Sequence, residues 1–103
     1  MIDRDERLAI EQIMASKMDV ARLGIEAEAF LATPVGQYLQ QRVREEVAEA
    51  LMELKTITPN DTSRIIELQN NIWRAESFNA WFGELITSGW EAEKEIRSME
   101  GRE

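Results

Sequence analysis

The fold is decided by residues 33–63, which read TPVGQYLQQRVREEVAEALMELKTITPNDTS. Threonine is a good helix N-cap and proline is favoured at the first helical position, so a helix should begin at Thr33-Pro34. Apolar residues then recur every three or four positions, which is the spacing of one helical face. They are Val35, Leu39, Val43, Val47, Ala50, Leu51 and Leu54. The pattern predicts a helix over residues 34–55.

The charged residues of this segment fall on the opposite side of the predicted helix. Arg42, Glu45, Glu49 and Glu53 lie there, and the three glutamates repeat at intervals of four. A hard cation needs several converging oxygen ligands, whereas these carboxylates point away from the apolar stripe. We therefore expect a solvent-exposed row and no metal site.

Residues 56–63 predict a turn. They contain a second Thr-Pro pair, Thr58-Pro59, and capping candidates that include Asp61 and Ser63. A short connection between two long helices favours an antiparallel hairpin. The following helix is predicted over residues 61–88, and its apolar residues cover more than half of its circumference. They are Ile65, Ile66, Leu68, Ile72, Trp73, Phe78, Trp81, Phe82, Leu85 and Ile86.

Residues 3–32 predict an N-terminal helix with two apolar faces. One consists of Ile10, Met14, Met18, Ala21 and Ile25, and the other of Ile13, Val20, Leu23, Ala27, Phe30 and Leu31. Either the helix has two sets of neighbours, or it bends at Gly24 so that each half faces one core. Gly89 fits a C-cap or break, and a short helix is predicted over 90–100.

The predicted fold is thus all-α, a single helical domain over residues 1–103. It is a long antiparallel helical hairpin with an additional N-terminal helix and a short C-terminal helix. In the hairpin, one set of apolar residues should face the other: Leu39, Val43, Val47, Leu51 and Leu54 against Ile65, Leu68, Ile72 and Phe82.

The composition argues against most catalytic chemistry, because the 103 residues include no histidine and no cysteine. No imidazole or thiolate is present for base, nucleophile or metal work. The net charge of −8 opposes direct binding to nucleic acid or an anionic membrane. The charged N-terminus does not resemble a signal peptide, and no apolar run reaches about 18 residues. We predict a soluble protein with no enzymatic activity and no cofactor.

Four aromatic residues of the third segment are the candidate functional residues. We predict that Trp73, Trp81, Trp90 and Phe78 contribute to a protein–protein interface, because tryptophan is enriched at binding hot spots and the apolar arc exceeds what one partner helix covers. Within this set, Trp81 is predicted to be interfacial and the neighbouring Phe82 to be core. The alternative is that all these aromatics pack in a core.

Several elements of the chain resemble small helical proteins of tailed bacteriophages. They are Phe30-Leu31-Ala32-Thr33-Pro34-Val35-Gly36-Gln37-Tyr38-Leu39, the stretch 48–54, Ile65-x-x-Leu68-Gln69-Asn70-x-Ile72, and Gly89 with Ala92. The resemblance covers about residues 28 to 95 and transfers no catalytic residue. It implies a protein of the kind encoded among virion-assembly genes, located in the virion or the host cytoplasm.

These observations favour a non-enzymatic phage virion component or assembly factor that acts through helix packing. Its expected partners are further copies of itself, phage structural proteins, or both. The alternative is an acidic phage-encoded inhibitor that mimics DNA and binds a host nucleic-acid-processing or defence protein. A small enzyme subunit or ligand carrier is a third hypothesis.

Overall fold

The computed structural model describes residues 2–101, which form three helices and, within that range, no strand. Helix α1 spans Arg4–Ala32, α2 spans Pro34–Thr56 and α3 spans Thr62–Glu100. The prediction of an all-α protein is confirmed, and so are the first two helices to within one residue at each end.

The predicted break at Gly89 is wrong. Helix α3 continues to Glu100, so it does not end at residue 88 and no separate C-terminal helix covers residues 90–100. Gly89 is buried, and a Cβ atom placed on it would lie 2.8 Å from the Cα atom of Gly24. The glycine is needed because another backbone approaches it closely, not because the helix ends.

The chain divides into two compact units. Unit 1 comprises Met1–Ala29 and Gly83–Glu103, and unit 2 comprises Phe30–Phe82. Each unit contains one pair of helical segments, since α3 contributes its second half to unit 1 and its first half to unit 2.

In unit 1, α1 and the second half of α3 run antiparallel with small residues between them. Lys17 forms an ion pair with Glu95, and Gly24 lies beside Gly89. Ala27 and Ala92 are the buried apolar side chains of this contact. Because the separation of two helices depends on the side chains between them, glycine and alanine permit a close approach. Gly24 does not interrupt α1.

In unit 2, the junction of α1 and α2 follows the sequence prediction. The Thr33 hydroxyl accepts a hydrogen bond from the Gly36 N–H at 3.0 Å, and Pro34 occupies the first turn. Gly36 is buried against the end of α1, where an added Cβ would lie 2.7 Å from the Cα of Leu31. The side chain of Gln40 donates to the Leu31 carbonyl at 3.0 Å. These contacts fix how the chain enters α2.

Helix α2 and the first half of α3 form an antiparallel hairpin. An ion pair between Glu53 and Arg64 joins the end of α2 to the start of α3. The carboxylate of Asp61 caps α3 by accepting a hydrogen bond from the Arg64 N–H at 3.3 Å. Ala50 and Leu68 are buried between the two helices.

The predicted position of Leu51 in the helix contact is wrong, because this side chain is 48% exposed. Ala50 occupies the centre of the contact, and the next residue of a helix points about 100° away from it. Leu39, Val43, Val47 and Leu54 are half-buried, as their predicted contact requires. The seam is therefore rotated relative to the predicted stripe, and its centre is an alanine.

The core of the described residues is small. Its buried apolar side chains are Ala27, Ala50, Leu68, Ala75 and Ala92, so a single leucine is the only one larger than alanine.

Candidate functional site

The acidic residues do not assemble a metal centre within residues 2–101, where no cluster of three or more potential ligands occurs. Glu45 and Glu49 of the glutamate row are exposed, as the sequence predicts. Glu53 departs from that prediction, since it is half-buried and contacts α3.

Glu53 belongs to a charged cluster centred on Arg64. The guanidinium donates to both carboxylate oxygens of Glu53, at 2.5 Å from Nε and 2.7 Å from Nη2. It also lies 2.9 Å from a carboxylate oxygen of Glu67. The hydrogen bond from Arg64 lowers the pKa of Glu53, and the same bond raises the pKa of Arg64 above its usual range. This geometry joins two helices and leaves neither group poised for proton transfer near neutral pH.

The surface depressions are poor candidates for a small-molecule site. Four of them have volumes of 180, 260, 300 and 340 Å³ and open to solvent. Ligand sites are usually concave pockets of about 300–1,000 Å³ that enclose most of the ligand. Apolar helix surfaces are the more prominent feature of both units.

The three tryptophans predicted to form an interface are largely exposed. Trp73, Trp81 and Trp90 have 70%, 65% and 59% of their surface accessible. The first two belong to unit 2 and the third to unit 1, so the structure does not assign them to one cluster. Their role in an interface stays a prediction. Their exposure leaves these side chains available for contact with another chain.

Phe78 is placed differently from the tryptophans. It is half-buried, and its ring centroid lies 4.9 Å from that of Phe82. Phe82 in turn stacks on Phe30 at 5.6 Å. Phe82 thus contributes to the packing of unit 2. The interface role of Phe78 stays a prediction, and its ring is partly covered within the chain.

In unit 1, one apolar face of α1 is largely accessible to solvent. This face, called the α1 stripe, consists of Ile10, Met14, Met18, Ala21 and Ile25, all exposed or half-buried. Trp90 of α3 lies beside α1, where its indole N–H donates to the Glu28 carboxylate at 3.0 Å. The α1 stripe and Trp90 are part of the exposed apolar surface of unit 1, which also includes Ile13, Leu23 and Leu85.

In unit 2, the two sides of the hairpin differ in chemistry. One side carries polar groups of both helices, and they line a common groove: Glu46, Glu49, Glu53, Arg64, Asn71 and Arg74. The other side carries aliphatic residues, which we call the apolar side of unit 2: Val47, Leu51, Leu54, Ile65 and Ile72. At about 100° per residue, they lie roughly 130° around each helix axis from the polar groups of the same helix. Leu51 is exposed and the other four are half-buried.

Sequence reasoning missed two features of these surfaces. The first is the Glu53–Arg64 pair, which joins side chains eleven residues apart. The sequence feature that could have predicted it is an arginine at the start of a helix that follows a row of acidic residues. The second is the contact of small residues between Gly24-x-x-Ala27 and Gly89-x-x-Ala92. The sequence feature that could have predicted it is the Gly-x-x-Ala spacing, which occurs in both helices.

None of the helices within residues 2–101 carries an apolar stretch long enough to cross a membrane. No protein-family model, curated protein or solved structure matches this chain.

Proposed function

We propose that this protein is non-enzymatic and acts by packing its helices against other protein chains. The observation that carries the proposal is the mismatch between core and surface. Sixteen large apolar side chains of the described residues are exposed, while the buried apolar set is one leucine and four alanines. Exposed apolar surface on this scale is typical of proteins that bind partners.

The biological setting that we propose is a tailed bacteriophage, as a virion component or an assembly factor. This part rests on the resemblance of the Thr33-Pro34 element and the Ile65-x-x-Leu68-Gln69 helix to small helical phage proteins. The resemblance also includes Gly36, which is buried at the junction of α1 and α2. Phage structural proteins are the proposed partners.

The α1 stripe with Trp90 is the proposed docking face for such a partner. Two of its five residues are Met14 and Met18, and methionine is a flexible side chain that adapts to different partner surfaces. Trp90 adds a large aromatic anchor of the kind enriched at hot spots. An amphipathic helix of the partner would lie along this face.

The charge distribution favours helix packing over mimicry of DNA. A mimic of the phosphate backbone presents carboxylates without neighbouring cations, because it replaces a polyanion. In this protein Arg42 pairs with Glu45 and Glu46, and Arg97 pairs with Glu93. Some of the acidic groups are therefore neutralised by cations on the same helix.

The proposed setting is tested by quantitative mass spectrometry of phage particles and of their assembly intermediates. A fixed copy number in mature virions would identify a component. Presence in intermediates alone would identify an assembly factor. Absence from both would contradict the proposal and favour an inhibitor.

The docking face is tested by a matched pair of substitutions in α1. Ile25→Glu places a charge in the α1 stripe, whereas Leu23→Glu places one about 200° round the same helix. Both side chains are exposed, so neither change should disturb folding. We expect Ile25→Glu to reduce incorporation into particles and Leu23→Glu to leave it near the wild-type value. Equal effects would contradict the assignment of the α1 stripe.

A further inference from the structure

We propose that the apolar side of unit 2 pairs with the same side of a second copy, so that two hairpins form an intermolecular four-helix bundle. This inference goes beyond the proposed function, because it assigns a different face to self-association. Unit 2 consists of the last three residues of α1, all of α2 and the first half of α3, so its two long segments form a hairpin.

The two sides of unit 2 differ in how far contacts within the hairpin cover or pair their side chains. On the polar side, Arg64 is bonded to Glu53 and Glu67, and Arg74 donates to Asn71 at 2.8 Å. The two arginines of that side thus have partners within the chain, and the side is polar enough to face water. On the apolar side, Val47, Leu54, Ile65 and Ile72 are only half-covered. Covering them would remove apolar surface from water at about 25 cal/mol per Å².

The charges at the edges of the apolar side suit a two-fold pairing. Arg44 and Lys55 flank it on α2, and Glu76 flanks it on α3. None of these three residues takes part in an ion pair within residues 2–101. Val43 and Ala75 line one depression of the hairpin, so Arg44 and Glu76 lie near the same height along it. When two hairpins pair about an axis parallel to their helices, with α2 of one against α3 of the other, Arg44 of each copy lies near Glu76 of the other copy. A surface that is complementary to itself is what an isologous dimer requires.

Two adjacent residues of α2 provide the decisive experiment. Leu51→Glu places a carboxylate in the middle of the apolar side, whereas Met52→Glu makes the same kind of change on the outer face of the same helix. Both residues are exposed, so the isolated hairpin should tolerate either substitution. The mass of the purified full chain is measured by light scattering and sedimentation, and helix content by circular dichroism.

We expect the wild-type chain and Met52→Glu to be dimers, and Leu51→Glu to be a monomer with wild-type helix content. A monomeric wild type would overturn the proposal. So would an oligomer that survives Leu51→Glu, or one that Met52→Glu also dissociates. A dimeric wild type that is absent from phage particles would leave this inference standing and contradict only the proposed function.

A second measurement does not depend on how Leu51→Glu folds. Because the chain has no cysteine, a spin label attached to a single introduced cysteine occupies one site per copy. Gln69 lies beside the apolar side, so labels on Gln69→Cys should be close together across the two-fold axis. Labels on Met52→Cys should be further apart. The reverse order, or no dipolar coupling at Gln69→Cys, would overturn the proposed face.

Discussion

Arg64 links the end of α2 to the start of α3 through Glu53, and this pair makes the hairpin sensitive to acid. The hydrogen bond from Arg64 lowers the pKa of Glu53 in the folded chain. A group with a lowered folded-state pKa stabilises the fold above its unfolded pKa, and the contribution is lost as the pH falls through the folded value. Both side chains are partly exposed, so the effect should be modest.

We therefore expect Glu53→Gln to lower the melting temperature at pH 7 by a small amount. The difference from wild type should shrink below about pH 4.3, the ordinary pKa of glutamate. Melting curves of both proteins between pH 3 and pH 7 measure this. Glu49→Gln is the control, because Glu49 is exposed and outside every ion pair of the described residues. A difference that grows towards low pH would contradict the assignment.

The glycines of α3 give opposite expectations at two sites six residues apart. A Cβ atom on Gly89 would lie 2.8 Å from the Cα of Gly24, whereas one on Gly83 would meet nothing within 4 Å. Alanine is favoured over glycine within helices by up to about 1 kcal/mol. Overpacking of a tight contact costs about 1–3 kcal/mol.

Gly83→Ala should therefore stabilise the protein, and Gly89→Ala should destabilise it by up to about 2 kcal/mol net of the helix propensity gain. Denaturant titrations of the two variants measure the sign directly. If Gly89→Ala stabilised the chain as much as Gly83→Ala, the close contact of α1 with α3 would be wrong.

At the level of elements, the sequence predicts how helices begin better than how they pack. Thr33-Pro34 sets the start of α2 because capping and proline geometry are local. Gly89 lies inside α3 and not at its end, and the backbone of Gly24 in α1 approaches it closely. A glycine that ends a helix and a glycine that admits a neighbouring helix look alike in one sequence.

The rotation of the α2 seam shows the same limit at the candidate surfaces. The stripe from Leu39 to Leu54 contains both Ala50 and Leu51, and hydrophobicity alone favours the leucine as the central core residue. The helix pair instead buries Ala50 and exposes Leu51, because a small residue lets the two backbones approach. The partial exposure of the apolar side of unit 2 follows from that choice. It could not be predicted without the partner helix.

Two neighbouring aromatic residues of α3 should separate folding from assembly. Phe82 stacks on Phe30 and contacts Phe78, whereas Trp81 is mostly exposed. Burial of Phe82 is partial, so Phe82→Ala should cost about 3 kcal/mol, the lower end of the range for phenylalanine truncation. Trp81→Ala should change stability by less than about 0.5 kcal/mol and weaken assembly. Thermal denaturation measures the first effect, and incorporation into phage particles the second. A large loss of stability in Trp81→Ala would contradict its predicted interface role.

For the whole molecule, the small core means that stability depends on what covers the exposed helices. Native proteins of this size are stable by only about 5–15 kcal/mol, and four of the five buried apolar side chains are alanines. A dimer through the apolar side of unit 2 adds buried aliphatic surface that the single chain lacks. Folding and association are then linked, because the second copy binds the folded hairpin and not the unfolded chain.

The melting temperature of the wild-type protein should therefore rise with protein concentration. Each tenfold increase contributes about 1.4 kcal/mol per dimer, so a hundredfold range should raise the midpoint by several degrees. Leu51→Glu should melt at a lower temperature that does not depend on concentration, since its hairpin has no second copy to bind. Met52→Glu should keep the wild-type dependence, because it changes the outer face of the same helix by the same chemistry. A wild-type midpoint that stays constant across this range would mean that the hairpin folds without a second copy.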